Sequence, residues 1–407
     1  MEISQERTPL LLFSEPSIKS SSFQVGLNLF KSALGIGFLA LPYCFIQSGL
    51  ILSSFFMIPM AFLTVYTVFK IVDLAEIKGL KETNFRELYK DYVGNYAIIY
   101  FEICMAINYF GVGVTYVIFF IDFFKNAFKT TGVLYSLLYG GLSLLVIIPL
   151  SLIRRLELFI KYSIIANILT LIVLGILLEY PLSHLSYENV DNYADIIEIP
   201  GLLGVALFSF VSPGLVIPMR NSMENKEQFK PTFLIVIMIV WVIYVGFSVI
   251  CCFGFQQMAI TQNILKGFGN INEYFLLIQG FYALALVLTY PMQLGPLFEV
   301  LENIEKIKEF LERNQENWFY KNSIRIAISI MIFPFGIFVS KFADFINLLG
   351  AFCFFIIQFI YPLWAYNNCL GEKMAKAEKW INYSIIALSF IAVLLSSYHS
   401  FWSFIYR

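Results

Sequence analysis

The chain has 407 residues, of which 59% are hydrophobic and only 14% charged. Soluble domains carry roughly a quarter of their residues as charges, so this composition excludes a water-soluble globular protein. The net charge is −1, its placement matters more than its sum, and no nucleic-acid partner is expected.

Residues 1–22 form a polar tail without the short apolar core and small-residue cleavage site of a secretory signal. The first span is therefore expected to act as its own uncleaved insertion signal. Within the tail, Glu6-Arg-Thr-Pro-Leu10-Leu11 resembles the acidic dileucine signal read by endosomal sorting adaptors. It predicts such adaptors as partners, and a lysosomal or vacuolar membrane rather than the cell surface.

From Phe23 onward, apolar runs of about twenty residues recur, each long enough to cross a hydrocarbon core about 30 Å thick as a helix. They do not alternate as membrane-barrel strands would. The predicted spans are 23–48, 50–76, 95–125, 133–152 and 156–179, then 199–220, 232–255, 271–298, 322–340, 342–366 and 379–403. The fold class is an all-α, multi-pass membrane protein with about eleven transmembrane helices. An amphipathic stretch, 83–93, is expected to lie along the membrane surface between spans 2 and 3.

Charge placement orients this layout. With a cytoplasmic N-terminus, only Lys125, Lys129, Lys266, Lys341 and Arg407 fall in outer segments, Lys31 lies within span 1, and the rest of the 27 Lys and Arg are inner. Short cytoplasmic segments carry the cationic excess, so the N-terminus is predicted cytoplasmic and the C-terminus luminal or extracellular. The sequon Asn382-Tyr-Ser then falls inside and is expected to stay unmodified. Cys44, Cys104, Cys251, Cys252, Cys353 and Cys369 lie within or at the ends of spans, where small apolar packing rather than disulfide bonding is expected.

Two spans are interrupted near their middles. Span 1 contains Gly35-Ile36-Gly37 and then Pro42; span 6 contains Ser212-Pro213-Gly214 and then Pro218. Unpaired backbone at mid-membrane must face a polar cavity or protein, and paired interruptions five spans apart point to a transporter substrate site. The amides of Ile36, Gly37 and Phe38 begin the outer half of span 1, a partially positive end suited to a carboxylate. The carbonyls ending the inner half of span 1 and the first half of span 6 suit an ammonium group or a small cation. Gly140 in span 4 is a matched glycine away from either break.

Other polar residues carry separate expectations. Glu102, about one turn inside span 3, is a candidate coupling acid that can equally be solvated or paired with a nearby base. Lys31 is expected to snorkel to the cytoplasm, and His184 and His399 to be incidental. No metal-ligand spacing, P-loop or nucleophile elbow appears, and no acid–base cluster sits at one depth, so an enzyme is not expected. No cofactor is expected beyond H⁺ or Na⁺ as coupling ion.

At the interrupted spans the chain resembles the amino acid/auxin permease family of transmembrane amino acid transporters, in its vacuolar or lysosomal branch. Residues 28–43, NLFKSALGIGFLALPY, are similar to that family's span 1 pattern. FSFVSPGLVIPMRNSM (208–223), Thr289-Tyr290-Pro291 and FINLLGAF (345–352) follow in order, and the resemblance covers residues 23–400. It implies the fold of bacterial leucine transporters: two inverted five-helix repeats, 23–197 and 198–370, followed by 371–407 with the eleventh helix and a short C-terminus. It implies a secondary carrier moving small neutral amino acids by alternating access and symport; the alternative is a receptor on the same scaffold with little net transport.

The expected substrate-binding set is Leu34, Gly35, Ile36, Gly37, Phe38, Tyr116, Phe208, Ser209, Ser212 and Gly214, Tyr116 matching a family tyrosine. The expected coupling set is Asn28, Leu34, Thr289 and Glu102. Proton-coupled animal members carry His where this chain has Asn28, and Glu at Val211 and Arg220, so proton coupling through those groups is unavailable here. Thr289 falls where the fold often places a cation-binding hydroxyl beside the carbonyls around Leu34. The resemblance leaves H⁺ and Na⁺ both open.

Overall fold

The computed structural model describes residues 19–79, 85–154, 156–186, 195–255, 262–265, 275–314, 316–339 and 341–406. The sorting residues Glu6, Leu10 and Leu11, and the outer cations Lys266 and Arg407, lie outside the described residues.

The first half of the chain forms α1 (Ser22–Ala33), α2 (Leu41–Ser48), α3 (Leu50–Ile77), α4 (Phe85–Val93), α5 (Asn95–Phe128), α6 (Val133–Ser151) and α7 (Leu156–Ser183). The second half forms α8 (Ile199–Ser209), α9 (Val216–Ser222), α10 (Phe229–Gly254), α11 (Phe275–Glu302), α12 (Glu305–Arg313), α13 (Trp318–Phe338), α14 (Phe342–Leu349), α15 (Tyr361–Leu370) and α16 (Lys376–Tyr406). Among the described residues, ten helices are long and apolar enough to cross a membrane, and the bent pair α1–α2 brings the number to eleven. No β-strand occurs among the described residues; an isolated bridge joins Ser20 to Met223.

Local chemistry sets the boundaries. Ser21 opens α1 with a reciprocal capping box to Gln24, which satisfies two of the first free amides. Gly49 (φ 85°) turns the chain between α2 and α3, a left-handed conformation that a Cβ would strain. Amphipathic α4 lies between spans 2 and 3 as expected. It is held by Lys78 to Asp91 (2.7 Å), a pairing that holds the Asp91 carboxyl below its usual range, and by the bidentate pair of Arg86 with Glu102 (2.6 and 2.5 Å).

Burial separates core from periphery. The segment containing α8 and α9 is 83% buried along its apolar window, whereas that of α16 is 17% buried. Span 6 is thus central and α16 faces lipid. On α13, fully buried Arg325 pairs with Glu302 at 2.7 Å, and Arg154 reaches the same carboxylate at 3.2 Å. This triad ties α13 and the α6–α7 connection to α11. All six cysteines carry free thiols. Asn382 of the sequon is fully buried, bonded to Asn367 at 2.6 Å and Tyr66 at 2.7 Å.

Candidate functional site

Span 1 breaks where α1 ends. Leu34 leaves helical geometry (ψ 48°), a 3₁₀ turn covers Gly37–Ala40, and the two halves meet at 40°. Four consecutive carbonyls at this break are engaged by side-chain donors. Gln293 donates to Ser32 at 3.2 Å, Tyr244 to Ala33 at 2.7 Å, Lys31 to Leu34 at 3.4 Å and Tyr282 to Gly35 at 2.7 Å. On the other side of the break, no acceptor among the described residues is bonded to the amides of Ile36, Gly37 or Phe38. The negative end of the break is capped by the protein and the positive end is open.

Span 6 breaks opposite. Its helix α8 ends at Ser209, Phe210 and Ser212 are extended, and a 3₁₀ turn at Pro213–Leu215 leads into α9. Tyr244 reaches across to the Ser209 carbonyl at 2.5 Å, and Tyr109 bonds Ser212 through their hydroxyls. No donor is bonded to the Phe208 and Phe210 carbonyls among the described residues. The two breaks touch at Gly37: a Cβ there would lie 2.7 Å from Ser209 Oγ and 2.9 Å from Phe208 Cδ1.

A cleft lies between the breaks. Ser32, Ala33, Gly35, Ile36 and Gly37 line it from span 1, and Phe208, Ser209, Phe210 and Ser212 from span 6. Val112, Thr115 and Tyr116 on α5, Gln293 on α11 and Phe354 complete the wall. Phe208 and Phe354 meet edge to face, 5.6 Å between ring centroids. Among the described residues, no Asp, Glu, Lys or Arg lines this cleft.

Of the expected substrate set, Gly35, Ile36, Gly37, Tyr116, Phe208, Ser209 and Ser212 are brought together here. Leu34 and Phe38 are fully buried behind it, Phe38 among Tyr244, Phe247 and Tyr282. Gly214 opens instead onto a second cleft shared with Arg86, Glu102, Met105 and Glu299.

The expected coupling set is not brought together. Asn28 accepts from Ser163 on α7. Thr289 donates within its own helix, to Ala285 or Leu286 at 3.1 Å, and stands 3.4 Å from the Tyr116 hydroxyl. Glu102 is paired with Arg86 at the second cleft.

One expectation is corrected. Lys31 does not snorkel: it is 1% exposed and donates to Leu34 and Thr170. It sits in the last turn of a 12-residue helix, where a long cationic side chain reaches the free final carbonyls. His399 has a structural contact: its Nε2 lies 3.0 Å from Glu198 Oε2 and joins α16 to the start of span 6. His184 stacks on Tyr180, 4.3 Å between centroids.

Tyr244, Tyr282, Gln293, Thr115 and Phe354 were not anticipated. For Gln293, an uncharged polar residue between Pro291 and Pro296 within a span, the signal was present.

The sequence profile of the family described as transmembrane amino acid transporter protein matches residues 18–402. Vacuolar amino acid transporters 4 and 3 of Saccharomyces cerevisiae are 27% and 25% identical, each match covering 95% of this chain. The chain spans only 59% and 57% of the length of those two relatives. Amino acid transporter AVT3C of Arabidopsis thaliana is 23% identical, with 97% of this chain and 93% of the relative covered. Among solved structures, MhsT in complex with L-phenylalanine superposes with a TM-score of 0.60 at 13% identity, covering 94% of this chain and 99% of that one. A Na⁺-coupled sialic acid symporter gives 0.59 at 12% identity, covering 98% and 91%. At these identities the likeness is one of fold.

Proposed function

Because the chain belongs to the transmembrane amino acid transporter protein family, we propose that it is a secondary active carrier moving small neutral amino acids across a membrane by alternating access, coupled to a cation gradient. One observation carries this function: two interrupted spans enclose a cleft whose wall holds unpaired backbone groups and the unpaired Ser32 hydroxyl but, among the described residues, no ionised side chain. An amino acid zwitterion needs a positive and a negative partner and has no net charge to match. Its carboxylate is received by the open amides of Ile36 and Gly37, at the positive end of a broken helix. Its ammonium group is received by the free carbonyls of Phe208 and Phe210, since those of span 1 are already capped. Ile36, Val112, Phe208 and Phe354 form the apolar surface for a side chain. A cationic or acidic substrate would bury an unpaired charge at this wall, at a cost of several kcal/mol.

Alternating access follows from rocking one set of spans against the other around this fixed cleft, with 23–197 and 198–370 as the inverted repeats. The pair Arg86–Glu102 lines the second cleft, and Tyr109–Ser212 closes the break of span 6 where Ser212 lines the first; with a cytoplasmic N-terminus, both must part when the site opens inward. The vacuolar naming of the yeast relatives supports a vacuolar or lysosomal membrane, with the N-terminus cytoplasmic. No observation favours a non-transporting receptor.

The test is uptake of labelled amino acids by the full chain in proteoliposomes, across neutral, basic and acidic substrates. Saturable uptake of neutral ones is expected. Uptake equal to empty liposomes overturns the carrier, and preference for Lys, Arg or Glu overturns the neutral substrate.

A further inference from the structure

The end of α1 is the place in this fold where free carbonyls invite a cation, yet it already holds one. Lys31 Nζ lies 3.4 Å from the Leu34 carbonyl, bonds the Thr170 hydroxyl of α7, and stands 5.9 Å from the centre of the Tyr282 ring. The residue is almost wholly buried, and no carboxylate pairs with it among the described residues. From the helices packed against α1, Tyr244 of α10 and Tyr282 of α11 are the titratable groups at this depth, and their hydroxyls are engaged by Ala33, Ser209 and Gly35. From α9, Arg220 is paired with Glu76 at 2.9 Å. The neighbouring carbonyls are closed by Gln293 and the two tyrosines, leaving a second cation neither ligands nor relief from repulsion in a low-dielectric interior.

We infer that the Lys31 ammonium is the built-in cation of the span 1 break, so that Na⁺ has no role there and coupling runs through reversible protonation of the Lys31 amine. In the cycle the amine takes one proton from water on one side of the membrane and returns it to water on the other. No further reactant is needed. The assignment concerns the coupling ion and rests on the carrier function proposed above. It places coupling at a residue outside both the Asn28–Thr289 pair and Glu102.

Proteoliposomes containing the full chain test it. Replacing Na⁺ by choline at fixed pH should leave neutral amino acid uptake unchanged, whereas an imposed pH gradient should drive accumulation. Lys31→Gln, which cannot carry the proton, and Lys31→Arg, which does not release it, should both lose the response to the pH gradient. Na⁺-stimulated uptake by the wild type, or a pH-gradient response retained in either variant, overturns the inference. A separate arm compares thermal unfolding of the purified wild type in Na⁺ and in choline. A ligand that binds only the folded state raises the unfolding temperature, so stabilisation by Na⁺ also overturns it. This arm needs no transport: a protein that carries no amino acid yet unfolds identically in both salts refutes the carrier and leaves the occupied cation position standing. If Lys31→Gln does not fold, the arginine variant and the two wild-type salt comparisons decide.

Discussion

The Tyr244 hydroxyl lies 2.7 Å from the Ala33 carbonyl and bridges from there to Ser209 at 2.5 Å, so one side chain on α10 clasps the ends of both half-helices at the two breaks. Tyr244→Phe removes the only polar atom of that clasp and leaves the buried Ser209 carbonyl without a donor, while the Ala33 carbonyl keeps the Gly35 amide at 2.7 Å. An unmet buried acceptor costs about 1–3 kcal/mol. The variant is expected to unfold several degrees lower in detergent and to transport more slowly. An unchanged unfolding temperature would mean that water or a rearranged backbone satisfies the Ser209 carbonyl.

Glycine substitutions separate the binding role of the span 1 break from its packing role. Gly37→Val collides with Ser209 and Phe208, so loss of transport there reports packing as much as binding. Gly35 also lines the cleft, but a Cβ at that position meets only the Ser32 carbonyl, at 3.6 Å. Gly35→Val should therefore fold normally and lower uptake at least about tenfold, equivalent to about 1.4 kcal/mol. The matched glycine expected from sequence, Gly140, is an unsuitable control because Phe333 would lie 2.7 Å from its added Cβ. Gly141, with nothing within 4 Å, replaces it, and Gly141→Val should transport like the wild type. Equal uptake by Gly35→Val and Gly141→Val, normalised to abundance, would move the substrate site away from the break.

Glu302 accepts from Arg325 and Arg154 together. Removing one member of such a buried group leaves the others uncompensated, typically at 3–5 kcal/mol. Glu302→Gln should lower the yield of folded protein and its unfolding temperature more than Glu102→Gln, whose partner Arg86 is 44% exposed at the side chain and can return to water. Comparable stability of the two variants, measured by thermal unfolding in one detergent, would contradict this ranking.

Topology and sorting are tested in cells. Terminal tags should show protease accessibility from the cytoplasm at the N-terminus and protection at the C-terminus; both ends on one side would exclude eleven spans. Replacing Leu10 and Leu11 by Ala should shift the protein towards the cell surface, and an unchanged distribution would remove the dileucine from the sorting account without touching transport.

Eleven spans and their two breaks were legible in the sequence because each depends on chemistry within one segment. An apolar run either reaches across the bilayer or falls short, and Gly35, Gly37, Pro213 and Gly214 interrupt a helix wherever it packs. Half of the cleft followed, since residues flanking a break must line whatever the break faces. What fills the break did not follow. Tyr244 meets Ala33 across 211 residues and Gln293 meets Ser32 across 261. A mid-span tyrosine or glutamine reads alike whether it caps a carbonyl, binds a ligand or packs. Lys31 shows the same division: its charge within a span was visible, but whether the amine ran outward to water or turned back onto Leu34 was decided by tertiary packing. The other helices close around α1 and leave its last carbonyls as the nearest partners.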